Sequence, residues 1–429
     1  MRSFTKNAFS IKGEIMQNIK RVKMACYSAN ISMSIVGNLS PVLFLTFRSL
    51  YGISYTLLGL LVLINFVTQL LIDLMFSFFS HKFNIPLAVK LTPVITFTGL
   101  LFFALSPFIF PNNIYIGLVI GTIIFSASGG FAEVLISPVI AALPSENPER
   151  DMSKLHSIYA WGVVAVITVS TVFLLLFKGE NWQYLALGFT VVPLFSSFLF
   201  LRSKLPELKT PEKVSGVIEA LKKKDLWICI LCIFLGGAAE LTMAQWSSGY
   251  LEKALSIPKV WGDIFGVALF GLMLGLGRSM YAKYGKNIER VLFLGAIGST
   301  LCYLTAAISD IAILGLFACA FTGFCVSMMW PGSLIVAEKR FPTAGVFIFA
   351  MMAAGGDLGA SIGPQLVGII TDTVSVSSVG IDIAHRLNLT PEQVGMKCGM
   401  LVGMLFCIAA IFVYLYVMKK WKRSKSLTE

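Results

Sequence analysis

Asp73, Glu133, Glu240 and Asp357 each interrupt a long run of apolar residues, and among the basic residues only Arg278 is comparably embedded. A charge in such surroundings is costly, so each of these groups has to be paired, neutralised or used. Four acids set against one base cannot all be fixed ion pairs, and burial in a low dielectric favours the neutral carboxylic acid. Groups of this kind take up and release protons as their access to water changes. Glu133 is best placed for that work. It follows Gly129-Gly130 and precedes Pro138, which loosen the helix and let the carboxylate turn toward a cavity. The alternative for Glu133 is a carboxyl hydrogen-bonded between helices. Glu240, Asp73 and Asp357 complete the set of proton-coupling acids, and Arg278, near the end of its run, is expected at a gate.

Neutral polar side chains are spaced to share faces with these acids. Asn65, Gln69 and Asp73 recur at i, i+4 and i+8, a narrow stripe that faces protein or water rather than lipid. Asn30, Ser34 and Asn38 repeat the pattern, with Asn38 just before Ser40-Pro41. Amides both donate and accept, which suits a hydroxylated ligand, although helix-to-helix hydrogen bonds use the same groups. Asp357 lies among Gly355, Gly359 and Gly363, a small-residue face that lets a neighbouring backbone come close, and Gln365 follows two turns on. Tyr159, Trp246 and Trp330 could stack on the C–H faces of a solute, or could simply pack. His156 is a hydrogen-bonder, a proton relay or a wet helix-end histidine. The residues expected to line a binding site are therefore Asn38, Gln69, His156, Tyr159, Trp246, Trp330 and Gln365. Neither metal-ligand spacing nor a nucleophile–base set nor a nucleotide loop is present. Cys229-x-x-Cys232 reads as a pair of small buried apolar residues. An enzyme and a bound cofactor are not expected; the coupling ion would be a proton, with sodium left open.

The elements that must hold these residues are membrane spans. Apolar residues form 56% of the 429 and charged residues only 13%, about half the charge of a soluble domain. Runs long enough to cross a bilayer fall at 24–47, 55–79, 86–106, 114–142, 155–177, 182–201, 226–250, 261–282, 291–309, 311–337, 343–371 and 396–418, twelve in all. With both termini placed in the cytoplasm, all but six of the 34 Lys and Arg fall on the cytoplasmic side; the exceptions are Arg48, Lys178, Lys253, Lys259, Arg386 and Lys397. That is the positive-inside bias of a correctly counted topology. The net charge of +12 then serves as anchors on anionic lipid rather than as a nucleic-acid surface. Residues 1–23 form a cytoplasmic tail, 24–201 a first six-helix bundle, 202–225 a basic linker, 226–418 a second bundle and 419–429 a second tail. Thr390-Pro391-Glu392-Gln393 has the spacing of a capping box and is expected to open the last helix.

Internal repetition supports two halves. Gly130-Phe131, six residues and Pro138 in span four recur as Gly323-Phe324, six residues and Pro331 in span ten. Twelve spans, a six-plus-six division and a basic linker resemble the major facilitator superfamily over the whole chain. Within it, Glu133-Val134-Leu135-Ile136-Ser137-Pro138, Leu155-His156-Ser157-Ile158-Tyr159-Ala160-Trp161-Gly162 and the Glu240, Trp246, Tyr250 spacing resemble the fucose permease-like sugar:proton symporters. The sequence departs from that group in having Asn38 where an acid is usual, and His156 and Tyr159 where amides are typical. The resemblance implies an all-α polytopic protein of the plasma or inner membrane. It would carry a small neutral solute, a sugar first among them, by proton symport, acting as a monomer with the bilayer and the solute as its partners. Efflux of lipophilic cations is the alternative, since buried acids suit it too.

Overall fold

A computed structural model describes residues 2–79, 82–146, 148–206, 222–341 and 345–425. The main elements among these residues are helices, in the order α1 (Arg2–Val42), α2 (Phe44–Tyr51), α3 (Tyr55–Phe79), α4 (Ile85–Ile109), α5 (Ile114–Ala142), α6 (Pro148–Phe177), α7 (Trp182–Phe189), α8 (Val191–Leu201), α9 (Lys224–Leu255), a π-helical segment at Gly262–Ala268, α10 (Leu269–Tyr284), α11 (Ile288–Ile308), α12 (Ala312–Val326), α13 (Met329–Arg340), α14 (Gly345–Val376), α15 (Ser378–Leu387) and α16 (Pro391–Lys425). Among the described residues nine helices are long and apolar enough to cross a membrane, or up to eleven when each bent pair is one span. The expected fifth span falls on α6, whose apolar portion Trp161–Phe177 is shorter than the others. Most of the expected basic linker, 207–221, lies outside the described residues, as does the side chain of His156.

Local chemistry explains where these helices start and bend. Asn84 caps α4, its side-chain oxygen accepting from the Leu87 N–H at 3.1 Å. The expected capping box opens α16: Thr390 N–H donates to Gln393 Oε1 at 2.8 Å and Gln393 N–H donates to Thr390 Oγ1 at 3.2 Å. The chain bends by 44° where α1 gives way to α2, just past Pro41, and by 78° between α14 and α15, where Ser377 caps the new helix. Gly52 closes α2 at φ +66, a left-handed conformation that suits glycine.

Contacts divide the chain into two units, one of Met1–Gly37, Phe78–Val166 and Gln183–Lys213, the other of Asn38–Ser77, Ile167–Trp182 and Val214–Glu429. The boundaries cut α1, α3, α6 and the first residue of α7. In the first unit α4 lies against α5, where a Cβ on Gly99 would collide with the backbone of Phe125 and one on Gly121 with Phe103. In the second, α9 and α14 pack along each other through the small-residue face that the sequence marks out. A Cβ at Gly359 would meet the Phe234 carbonyl, one at Gly363 would meet Thr242 and the Ala238 carbonyl, and one at Gly355 would press on Ile230. Backbones this close gain dispersion contacts that lipid cannot replace. Cys229 and Cys232 are fully buried in α9, packing as the apolar residues they were read as. Gly359→Leu should therefore push α9 and α14 apart. Its cost is expected on the order of 1–3 kcal/mol or more, read as a lowered Tm in detergent. Gly271→Leu, where a Cβ meets nothing within 4 Å, should leave Tm unchanged.

Candidate functional site

Within the second unit two groups of buried ionisable residues are arranged differently. Glu240 on α9 accepts from Arg278 Nη2 on α10, at 3.1 Å to Oε1 and 3.3 Å to Oε2. Glu240 is only 8% exposed. The second contact of Arg278 explains its position: its Nε donates at 3.1 Å to the carbonyl of Ser327. Ser327 stands four residues before Pro331, and proline has no N–H to return to that carbonyl. Span ten breaks there into α12 and α13, and the orphaned oxygen is taken up by Arg278. The sequence reading puts Glu240 among the coupling acids and Arg278 at a gate; the structure joins them as one ion pair anchored on a proline break.

Asp73 and Asp357 form a different arrangement. They sit on α3 and α14, each 3% exposed, with carboxylate oxygens within 4.8 Å of one another. Gln69, one turn from Asp73, is buried and donates at 3.5 Å to the carbonyl of Asn65 on its own helix. Further along the same two helices, Gln365 Nε2 donates to the Thr56 carbonyl at 3.3 Å, while its buried Oε1 accepts from no described residue. Trp330 lays its indole against Gly237 and Gly356, next to Asp357.

The aromatic expectation for Trp246 changes with its surroundings. It is 1% exposed, its indole N–H donates to the Pro364 carbonyl at 2.9 Å, and its ring lies against Phe44 and Tyr55 at centroid distances of 5.3 and 5.8 Å. In this conformation both ring faces are covered, so it braces α9 against α2, α3 and α14.

A further network, which the sequence does not reveal, joins the start of α3 to Arg48 and Glu392. Glu392 accepts from Arg48 Nε at 3.1 Å and from the Tyr55 hydroxyl at 2.7 Å, and the Arg48 guanidinium lies 3.9 Å over the Tyr55 ring. Asp372 accepts from the backbone N–H of Tyr55 and of Thr56, at 3.2 and 2.5 Å, in place of an intrahelical partner for the first turn of α3. Asp263, also missed, is fully buried in the π-helical segment and accepts from Thr171 Oγ1 at 2.8 Å and from the Ser248 hydroxyl. It stands two residues inside its apolar run, where an acid reads as a helix-end residue. A π segment next to a buried acid has no signal in residue spacing.

In the first unit Asn30 Nδ2 donates to the Leu155 carbonyl at 2.7 Å and Ser34 Oγ to the Tyr159 carbonyl at 2.9 Å, fastening α1 to α6. These two polar residues of span one serve helix packing. Asn38, one turn beyond Ser34, is half-buried. The Tyr159 hydroxyl lies 3.8 Å from where a Cβ on Gly37 would stand, and the side chain is 37% exposed. Glu133 sits in mid-α5 with an exposed side chain, while Gly129, Gly130 and Ala132 around it are buried.

Comparison with known proteins places this geometry. Among solved structures, the nucleoside transporter NupG aligns at TM-score 0.70 and 11% identity over 94% of this chain and 100% of its own. A D-xylose–proton symporter aligns at 0.68 and 14%, covering 94% and 96%. The E. coli fucose:proton symporter FucP aligns at 0.57 and 12%, covering 91% and 98%. At these identities the likeness is one of fold. Bypass of stop codon protein 6 of Saccharomyces cerevisiae is 28% identical over 179 residues, which cover 38% of this chain and 35% of that protein. The family profile described as Major Facilitator Superfamily matches residues 25–364, most of the length, and the chain accordingly belongs to that superfamily, a multi-pass membrane transporter rather than an enzyme.

Proposed function

We propose that this protein is a secondary active carrier of a small neutral solute, a sugar first among them. It would couple solute movement to a proton by alternating access, with twelve spans in two bundles and both termini cytoplasmic, acting as a monomer in the plasma or inner membrane. The observation that carries this reading is the buried Asp73–Asp357 pair, with carboxylate oxygens within 4.8 Å of each other on neighbouring spans. Two buried carboxyls this close raise each other's affinity for a proton, and a shared proton favours the arrangement. Movement of either helix changes what that site holds, which is the coupling a symporter needs. Glu133 supplies a third acid, one that water reaches.

Neutrality of the solute follows from how Arg278 is used. Phosphate, sulfate and carboxylate solutes need an uncommitted Arg or Lys, and Arg278 is already held by Glu240 and the Ser327 carbonyl. Asn38, Gln69 and Gln365 offer amides for hydroxyl groups. The fold shared with xylose and fucose symporters supports a sugar within this class.

Purified protein in liposomes should take up a neutral sugar, and uptake should rise several-fold when the outside is acidified. Glu133→Gln should abolish accumulation driven by a proton gradient while sparing sugar exchange across the membrane. Uptake indifferent to the pH gradient and to this substitution would sink the proton claim. Dependence on a sodium gradient alone would move the coupling to sodium, and dye extrusion without sugar uptake would move the substrate to lipophilic cations.

In this reading the Arg48–Glu392–Tyr55 network faces the outside, and alternating access also requires it to open. Arg48 and Glu392 are each about one-third exposed, so their pairing is worth about 0–1 kcal/mol. Ile53, 5% exposed beside this network, reports on it when replaced by cysteine. In an Ile53→Cys background, Arg48→Gln should raise labelling by a membrane-impermeant maleimide roughly two- to fivefold. No change in labelling rate would show that the network does not control opening.

A further inference from the structure

A cavity of about 370 Å³ opens where the start of α9 meets the end of α13, lined by Lys223, Lys224, Asp225, Arg340 and Phe341. Arg340 is held in place through Asp225, whose Oδ2 accepts from Arg340 Nε at 2.7 Å and also from Nη2. That single carboxylate offsets one of three cations, so the lining keeps a net charge of two positive. Lys223 and Lys224 are exposed, and the Lys223 ammonium lies 5.9 Å from the centroid of the Phe341 ring. No side chain caps the N-terminus of α9, so its first backbone N–H groups add to the positive field. Behind the cations the floor is apolar, since Phe341 packs into a cluster with Leu226, Cys229 and Ala337.

The outward flank of the same helix adds a second requirement. Trp227 and Leu231 are 54% and 42% exposed. They follow Lys223 and Lys224 at i+3, i+4 and the next turn, so they continue the same stripe away from the cavity. The result is a cationic cup at one end of a spanning helix, followed along the helix surface by an indole and an aliphatic side chain. A soluble anion would use only the cup. A molecule with a phosphate head and a hydrocarbon tail uses both.

We propose that this cavity binds the phosphate headgroup of an anionic phospholipid, with an acyl chain lying along Trp227 and Leu231. The site is separate from the solute pathway and does not depend on which solute is carried. Basic pockets between helix ends at the membrane surface are suited to such headgroups.

Native mass spectrometry of the full-length protein in a neutral detergent, titrated with phosphatidylglycerol, cardiolipin or phosphatidylcholine, tests the assignment. The anionic lipids should be retained and phosphatidylcholine should not. The double variant K223Q/K224Q leaves the Arg340–Asp225 pair intact and should weaken anionic-lipid binding about 25-fold, from roughly fivefold per lysine. K222Q, which removes an equal charge from a lysine outside the cavity lining, should have a smaller effect than K224Q. Equal retention of phosphatidylcholine would overturn the proposal, as would equal effects of K222Q and K224Q. Displacement of the lipid by inorganic phosphate or glycerol phosphate at matching concentrations would reassign the cup to a soluble phosphate and overturn the lipid assignment.

Discussion

The cost of holding a charge in hydrocarbon governs how this protein is built. A spanning helix satisfies its own backbone, but an ionisable side chain inside it must find a partner, a proton or water. The acids in the spans meet that demand in different ways. Glu240 takes a guanidinium, Asp263 takes two hydroxyls, and Asp372 takes the free backbone N–H groups of another helix. Asp73 and Asp357 lie with carboxylate oxygens within 4.8 Å of one another, and Glu133 is exposed. The first three solutions hold a charge in a fixed geometry, and these residues brace the fold.

The bracing residues also explain the line along which α3 and α14 run together. Asp372 holds the first turn of α3, Gln365 reaches the Thr56 carbonyl, and the Asp73–Asp357 pair lies further along. At Gly59 and Gly368 a side chain would strike the opposite backbone.

Much of this was legible from residue type and spacing. Apolar run lengths place the helices, the Gly355, Gly359 and Gly363 repeat gives the close contact of α14, and the Thr390–Gln393 box opens α16, because each depends on residues within a few turns of one another. The Glu240–Arg278 pair was not legible, since its partners are separated by 38 residues and meet only through packing. The Arg48–Glu392 network was hidden for the same reason, its partners separated by 344 residues. Trp246 shows the opposite failure. Its type suggests a stacking surface, but its environment commits the ring to Phe44, Tyr55 and the Pro364 carbonyl.

The repeated Gly-Phe and proline pattern is put to different use at its two positions. Each proline removes the N–H that would bond to the carbonyl four residues earlier. In span ten that carbonyl belongs to Ser327, the helix breaks, and Arg278 bridges the break to Glu240. In span four the corresponding carbonyl is that of Val134, beside Glu133, and α5 runs through Pro138 without a break from Ile114 to Ala142. The same backbone defect thus breaks the helix and fixes an ion pair in span ten, and is absorbed within a continuous helix beside Glu133 in span four.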